Sequence, residues 1–155
     1  MPEMIQGIVI QPDGDIYVRD FGEPLYKTIG AAVGGHIEVV RPEGLPNPFF
    51  MLINEEGRLQ NLPFNPLASY WYGTQSHGQP IVGTAVILKE ALNEEQERDW
   101  FGLTPSEIDV LKAFIAAAKR AGLPEEPKNA PLVTRVYSFD SPEEFERWLV
   151  RMSEN

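Results

Sequence analysis

The sequence predicts an α+β fold: a mixed, mostly antiparallel sheet packs against short helices, and two amphipathic helices follow toward the C-terminus. Residues 49–53 and 81–88 are apolar runs without polar alternation, a pattern typical of strands covered on both faces. Residues 104–107 and 141–144 each combine a capping box with proline at the first helical position. A chain of 155 residues, 43% of them apolar, fits one domain, or one core with an appendage.

The chain begins with a predicted hairpin. Residues 5–10 are rich in apolar side chains, and residues 15–20 alternate, with Ile16 and Val18 on one face. The turn Gln11-Pro12-Asp13-Gly14 joins them, and Asp-Gly between two such segments is a strong hairpin signal.

A helix and a third strand are predicted next. Pro24 suits the first position of a helix that runs to residue 33. Gly34-Gly35 then ends the helix, because glycine accepts the left-handed conformation of a helix stop. Residues 36–40 follow as a strand, with His36 and Glu38 on one face and Ile37 and Val39 on the other. The predicted buried face of the helix consists of Leu25, Ile29, Ala32 and Val33.

A second hairpin and a short helix are predicted around the apolar run 49–53. Asn54-Glu55-Glu56-Gly57 has asparagine and glycine where a type I turn favours them, so residues 58–62 are expected to return as a strand. Asn65 is a good N-cap, and Pro66 then begins a helix that reaches Tyr72 and stops at Gly73. Residues 73–80 are expected to form a loop.

The C-terminal part predicts a helix–strand–helix extension, residues 91–155, that follows a core domain of residues 1–90. Residues 91–99 are acidic and are expected to form an exposed helix or a linker. The next helix runs from Pro105 to about Ala121; residues 132–139 are β-prone, and an amphipathic helix covers 142–152. In the first of these helices the apolar stripe consists of Ile108, Leu111, Ile115 and Ala118, widened by Val110, Phe114 and Ala117.

Four short pieces in a fixed order resemble a known family. They are Val33-Gly34-Gly35-His36-Ile37-Glu38, Asn54-Glu55-Glu56-Gly57, Leu62-Pro63 with Asn65 and Ala68, and Ile81-Val82-Gly83-Thr84-Ala85-Val86-Ile87. The family is the one catalogued as domain of unknown function 3846, found in bacteria, their phages and mobile elements. The resemblance covers residues 30–88. It implies a fold unit and a mobile-element context, and it implies no reaction, cofactor or catalytic residue.

Composition and charge restrict the function classes. The net charge of −10 disfavours sequence-independent binding to nucleic acid, which needs clustered lysine and arginine. The chain has no cysteine, no basic-then-apolar leader and no apolar stretch near the ~20 residues of a membrane span, so we expect a cytoplasmic protein without membrane contact. An acidic mimic of DNA is an alternative, although bases are interspersed among the acids in both halves.

Catalytic signals are weak. The two histidines, His36 and His77, are far apart and lack metal-binding spacing, so no cofactor or metal is predicted. A metal-assisted hydrolase acting through Glu55, Glu56 and His77, with Glu38 as a further ligand, is an alternative to a binding protein. Ser76 beside His77 has no nucleophile elbow, so we assign no catalytic residue.

The favoured hypothesis is a non-catalytic binding or regulatory protein of phage or mobile-element type, with an unidentified protein or small molecule as its partner. Its oligomeric state is open. Amides and acids near the turn at 54–57 would supply hydrogen bonds, and the aromatic cluster of Tyr70, Trp71 and Tyr72 would supply contact area. The candidate binding residues are Glu38, Asn54, Glu55, Glu56, Asn65, Tyr70, Trp71, Tyr72 and His77.

Overall fold

The computed structural model describes residues 4–127 together with Glu143 and Arg147. Within this part of the chain, six strands form one sheet in which every pairing is antiparallel. The strand order is β2-β1-β5-β4-β3, and β6 pairs with β5 beyond the end of β1. The strands are β1 (Met4–Ile10), β2 (Ile16–Gly22), β3 (Ile37–Val40), β4 (Phe49–Asn54), β5 (Ala85–Leu92) and β6 (Arg98–Phe101).

Helices cover both faces of the sheet. They are α1 (Leu25–Val33), α2 (Pro66–Tyr72), α3 (Thr74–His77) and α4 (Pro105–Ala121). The N-terminal caps predicted for α2 and α4 are present. The Asn65 side chain caps α2, and Thr104 and Glu107 form a complete capping box on α4. Gly34 ends α1 in the left-handed conformation with a φ of 85°.

The predicted architecture, an α+β fold with a mostly antiparallel sheet, is confirmed. Strands β4 and β5 lie side by side at the centre, and Met51 pairs with Ile87. One side of the sheet packs against α2 and α4, and the other side packs against α1. The strand predicted at 81–88 begins only at Ala85, because Gly83 has a φ of 78° and residues before it pair with the α2 region, as in the bridge between Phe64 and Val82.

The returning strand predicted at 58–62 is wrong. Residues 55–61 form successive turns, in which the Gly57 amide donates to the Asn54 carbonyl and the Leu62 amide donates to the Gly57 carbonyl. The physical reason lies in the neighbouring strands. Because β4 already pairs with β3 on one side and β5 on the other, it has no free edge to accept a hairpin partner.

The prediction for residues 91–99 is also wrong. These residues are neither a helix nor a linker: β5 continues to Leu92, a turn follows, and β6 starts at Arg98. The Asn93 side chain stabilises the turn by accepting from the Glu95 and Glu97 amides at 2.9 and 3.0 Å. The loop predicted at 73–80 contains the short helix α3.

The helix α4 buries a narrower stripe than predicted. Its four predicted stripe residues are buried, whereas Val110 and Phe114 remain 48% and 37% exposed and Ala117 is exposed.

Residues 98–121 add β6 to the sheet and α4 to the core beneath it. The strand predicted at 132–139 and the last helix lie outside the described residues, apart from Glu143 and Arg147, both helical. A search of the described residues finds no helix that could cross a membrane.

Candidate functional site

An open groove lies on the α1 side of the sheet. It has a volume of about 560 Å³ and runs between α1, the start of β3 and the strand β6. Its walls contain apolar side chains together with one lysine and one histidine. The lining residues are Tyr26, Lys27, Gly35, His36, Ile37, Val39 and Trp100.

The floor of the groove is apolar because of the alternation in β3. Val39 pairs with Leu52 of β4, which belongs to the core cluster under α1, and both Ile37 and Val39 pack against that cluster. Glu38 pairs instead with Ile53, a residue of the core cluster under α2 and α4. Since paired residues share a face of the sheet, the carboxylate of Glu38 is directed to the opposite side from the groove.

Trp100 forms the far wall of the groove. Its ring lies 5.8 Å from the ring of Phe50, with an interplanar angle of 46°, and it is only partly buried. The contact with the fully buried Phe50 fixes the indole, because the core beneath it is close-packed. One part of the ring therefore packs on the core, and the rest is available to a ligand.

The rim of the groove carries a tyrosine, a lysine and a histidine. Tyr26 is 66% exposed, and the side chains of Lys27 and His36 are also exposed. Among the described residues that line the groove, none is acidic. This local composition contrasts with the net charge of −10 of the whole chain.

Asn54 positions the wall at Gly35. Its Nδ2 atom donates to the Val33 carbonyl at 3.3 Å and to Gln60 Oε1 at 3.1 Å. Its Oδ1 atom accepts from the Glu56 amide at 2.8 Å. A Cβ atom on Gly35 would lie 3.0 Å from Asn54 Nδ2, so a larger residue would push the wall away from this amide. Asn54 is buried, and any part it plays in binding is through the position of this wall.

An ion pair between the exposed Arg41 and the largely buried carboxylate of Glu90 adjoins Trp100. Glu90, the cross-strand partner of Trp100, accepts two hydrogen bonds from Arg41 at 2.6 and 2.7 Å, and Arg98 lies 3.8 Å away. The hydrogen bonds from Arg41 hold the pKa of Glu90 below its ordinary value, against the effect of burial. The carboxylate is thus neutralised by arginine and adds no uncompensated negative charge near the groove.

Two further predicted binding residues are buried in the fold. Asn65 donates from Nδ2 to the carbonyls of Ile10 and Gly83 at 3.1 and 2.8 Å, and its Oδ1 atom accepts from the Ala68 amide at 3.2 Å. Trp71 is buried in the core under α2 and α4. Any role of these side chains in binding would be indirect, through the loops and helices that they hold in place.

Tyr70, Tyr72 and His77 lie at the end of α2 and in α3, with both tyrosines half-buried and His77 exposed. The His77 ring packs edge-on against Tyr72 at 4.9 Å. Its Nε2 atom donates to the Tyr72 carbonyl at 2.9 Å, and its Nδ1 atom accepts from the Gln79 amide at 3.0 Å, because those partners can only accept and donate, respectively. Both ring nitrogens are therefore occupied by the backbone.

Glu55 and Glu56 lie in the turn after β4, exposed and half-buried respectively. Arg58 connects this turn to the segment after His77 through a 3.2 Å hydrogen bond to Gln79 Oε1. A search of the described residues finds no group of three or more histidine, aspartate and glutamate side chains that could hold a metal ion. The structure thus joins the two loops without assembling their titratable side chains into such a group.

Sequence reasoning missed most of the groove. The sequence gives no signal for Tyr26, Lys27 or Trp100 as binding residues, and His36, predicted as a strand residue, lies just before β3 with an exposed side chain. The alternation of Ile37 and Val39 was visible in the sequence. The residues that face them from α1 and β6 could not be identified, because their proximity depends on the order of strands in the sheet.

Comparison with known proteins identifies one family. A family model described as Domain of unknown function (DUF3846) matches residues 5–114. This range extends in both directions beyond the four pieces at 30–88, and it includes five strands of the sheet up to β5, strand β6, and the first part of α4. No curated protein and no solved structure matches the chain.

Proposed function

We propose that the chain, which belongs to the DUF3846 family, is a non-catalytic binding or regulatory protein of phage or mobile-element type. Its binding surface is the groove between α1, β3 and β6. Its working compartment in this proposal is the cytoplasm, which agrees with a chain that has no cysteine.

The observation that carries the proposal is the composition of the groove. Tyr26, Lys27 and His36 present exposed side chains around an apolar floor. A concave, mostly apolar surface with a few polar groups at its rim is the usual form of a ligand site.

The chemistry of the site favours binding over catalysis. A general acid–base or metal-assisted reaction needs titratable groups within about 3 Å of a common reacting atom. His77 uses both ring nitrogens in backbone hydrogen bonds, and the groove lining contains one histidine and one lysine without a carboxylate. The side chains that line the groove can hold a ligand by charge and contact area.

Thermal-shift measurements test this proposal. The purified protein is heated with fractions of a bacterial lysate separated by molecular mass. A ligand at about ten times its Kd stabilises by about 1.4 kcal/mol, which raises Tm by roughly 3–6 °C for a chain of this size. We expect one fraction to produce such a shift.

A matched pair of double variants assigns the shift to the groove. Tyr26→Ala with Lys27→Ala removes the rim on α1, and alanine preserves the helix. Lys112→Ala with Phe114→Ala makes the same change on α4, which packs on the other face of the sheet. The shift should disappear only in the first variant. No shift with any fraction, or a shift that both variants retain, contradicts the proposal.

A further inference from the structure

We propose that the groove binds a small molecule that combines a planar ring with an anionic group. This inference rests on the proposed function, because it names the ligand class of the same site. It goes beyond the fold and the family, neither of which specifies a ligand.

The ring is recognised by flat and apolar surfaces. Trp100 is held in place by Phe50, and the exposed ring of Tyr26 stands at the opposite rim, on α1. Ile37 and Val39 form a floor without charged groups between these two walls. Aromatic side chains favour stacked or edge-on contacts with a planar ligand, and such contacts add to the effect of the buried apolar area.

The anionic group is recognised by the rim. Lys27 carries a full positive charge, and the His36 ring supplies a second donor. None of the ion pairs among the described residues involves Lys27. The neighbouring carboxylate of Glu90 is occupied by Arg41, so it does not compete for this lysine. The charges therefore favour an anion over a cation.

Size and global charge favour a small molecule over a nucleic acid. The volume of about 560 Å³ falls within the range of small-molecule sites. A polyanion such as a nucleic acid would be repelled along its own length, because the net charge of the protein is −10. A small anion interacts mainly with the local charges, because salt screens distant ones beyond about 8–10 Å.

Three anionic ring compounds and their uncharged counterparts provide the probes. They are indole-3-acetate with indole-3-ethanol, adenosine monophosphate with adenosine, and benzoate with benzyl alcohol. Binding is followed by calorimetry and by ligand-observed NMR. We expect at least one anionic probe to bind with a Kd of about 1 mM or tighter, and its uncharged counterpart to bind about two- to fivefold more weakly.

Single variants separate the two parts of the site. Lys27→Gln should weaken binding of the anionic probe about two- to fivefold and leave the uncharged probe unchanged. Tyr26→Ala should weaken both probes by about two- to tenfold, because it removes the ring contact. Lys112→Gln, at an exposed lysine on α4, should change neither.

The results distinguish this inference from the function on which it rests. The ligand class is wrong if none of the probes binds. It is also wrong if anionic and uncharged probes bind with equal affinity and Lys27→Gln changes neither affinity. If a lysate fraction still stabilises the protein through the groove, the binding function stands without this ligand class. If that fraction is macromolecular, the groove is a protein-binding site, and the small-molecule inference is overturned. If neither experiment gives binding, both proposals fail.

Discussion

Replacing Asn65 with alanine should destabilise the protein strongly, although the residue lies outside the strands, at the N-cap of the short helix α2. Its side chain has an exposure of 0% and makes three hydrogen bonds to three separate segments of the chain. One of these partners, the carbonyl of Ile10, is 55 residues away in sequence. The amide thus links β1, the residues before β5 and the first turn of α2.

The expected cost follows from these contacts. Loss of the cap on α2 costs about 1 kcal/mol. The two hydrogen bonds from Nδ2 contribute about 0.5–1.5 kcal/mol each, and their loss leaves the buried carbonyls of Ile10 and Gly83 without this donor. Together these effects predict a loss of about 3 kcal/mol in the free energy of unfolding. This is a large share of the roughly 5–15 kcal/mol of a typical domain.

Urea unfolding at 25 °C measures the change. With a slope of about 2 kcal/mol per M, the midpoint should fall by about 1.5 M at unchanged slope. Asn65→Asp should be at least as destabilising at pH 7. It keeps the capping oxygen, but it replaces the donor group with a charged oxygen facing two carbonyls. The control Gln75→Ala, at an exposed position of α3, should cost less than about 0.5 kcal/mol. A loss below about 1 kcal/mol for Asn65→Ala would refute the structural role assigned to this side chain.

Two further predictions concern the core and the ion pair between Arg41 and Glu90. Leu111→Ala should cost about 2–4 kcal/mol in urea unfolding because Leu111 is fully buried. The neighbouring Val110 is 48% exposed, so Val110→Ala should cost less than about 1 kcal/mol. Similar costs for the two variants would mean that α4 packs with a different face. Glu90→Gln should destabilise the protein most at neutral pH. The pKa of Glu90 is lowered by folding, so its stabilising effect is complete above the ordinary glutamate pKa of about 4.3 and is lost as the pH falls through the lower folded pKa. Unfolding curves from pH 7 to pH 3 should therefore show the two proteins converging, and a difference that does not change with pH would contradict the assignment.

Local signals predicted the elements whose causes are local. The capping box at Thr104 and Glu107 and the cap at Asn65 operate within three residues, so the sequence contains the whole interaction. The apolar run at 49–53 predicted a strand covered on both sides, and β4 is buried along its entire length. The prediction of a return strand at 58–62 was wrong because turn residues specify a chain reversal but not the strand that pairs next. The edge of β4 that such a strand would need is paired with β3.

By itself the sequence determined the fold class, the two apolar strands that are covered on both faces, and the helix boundaries at capped ends. Only the tertiary structure decided how the polar side chains are used. Asn54 and Asn65 are engaged with carbonyls from other segments, and the groove is assembled from Lys27, His36 and Trp100. The physical reason is that caps and turns depend on neighbours in sequence, whereas a groove depends on which strands lie side by side, and strand order is set by the burial of the whole sheet between its helices.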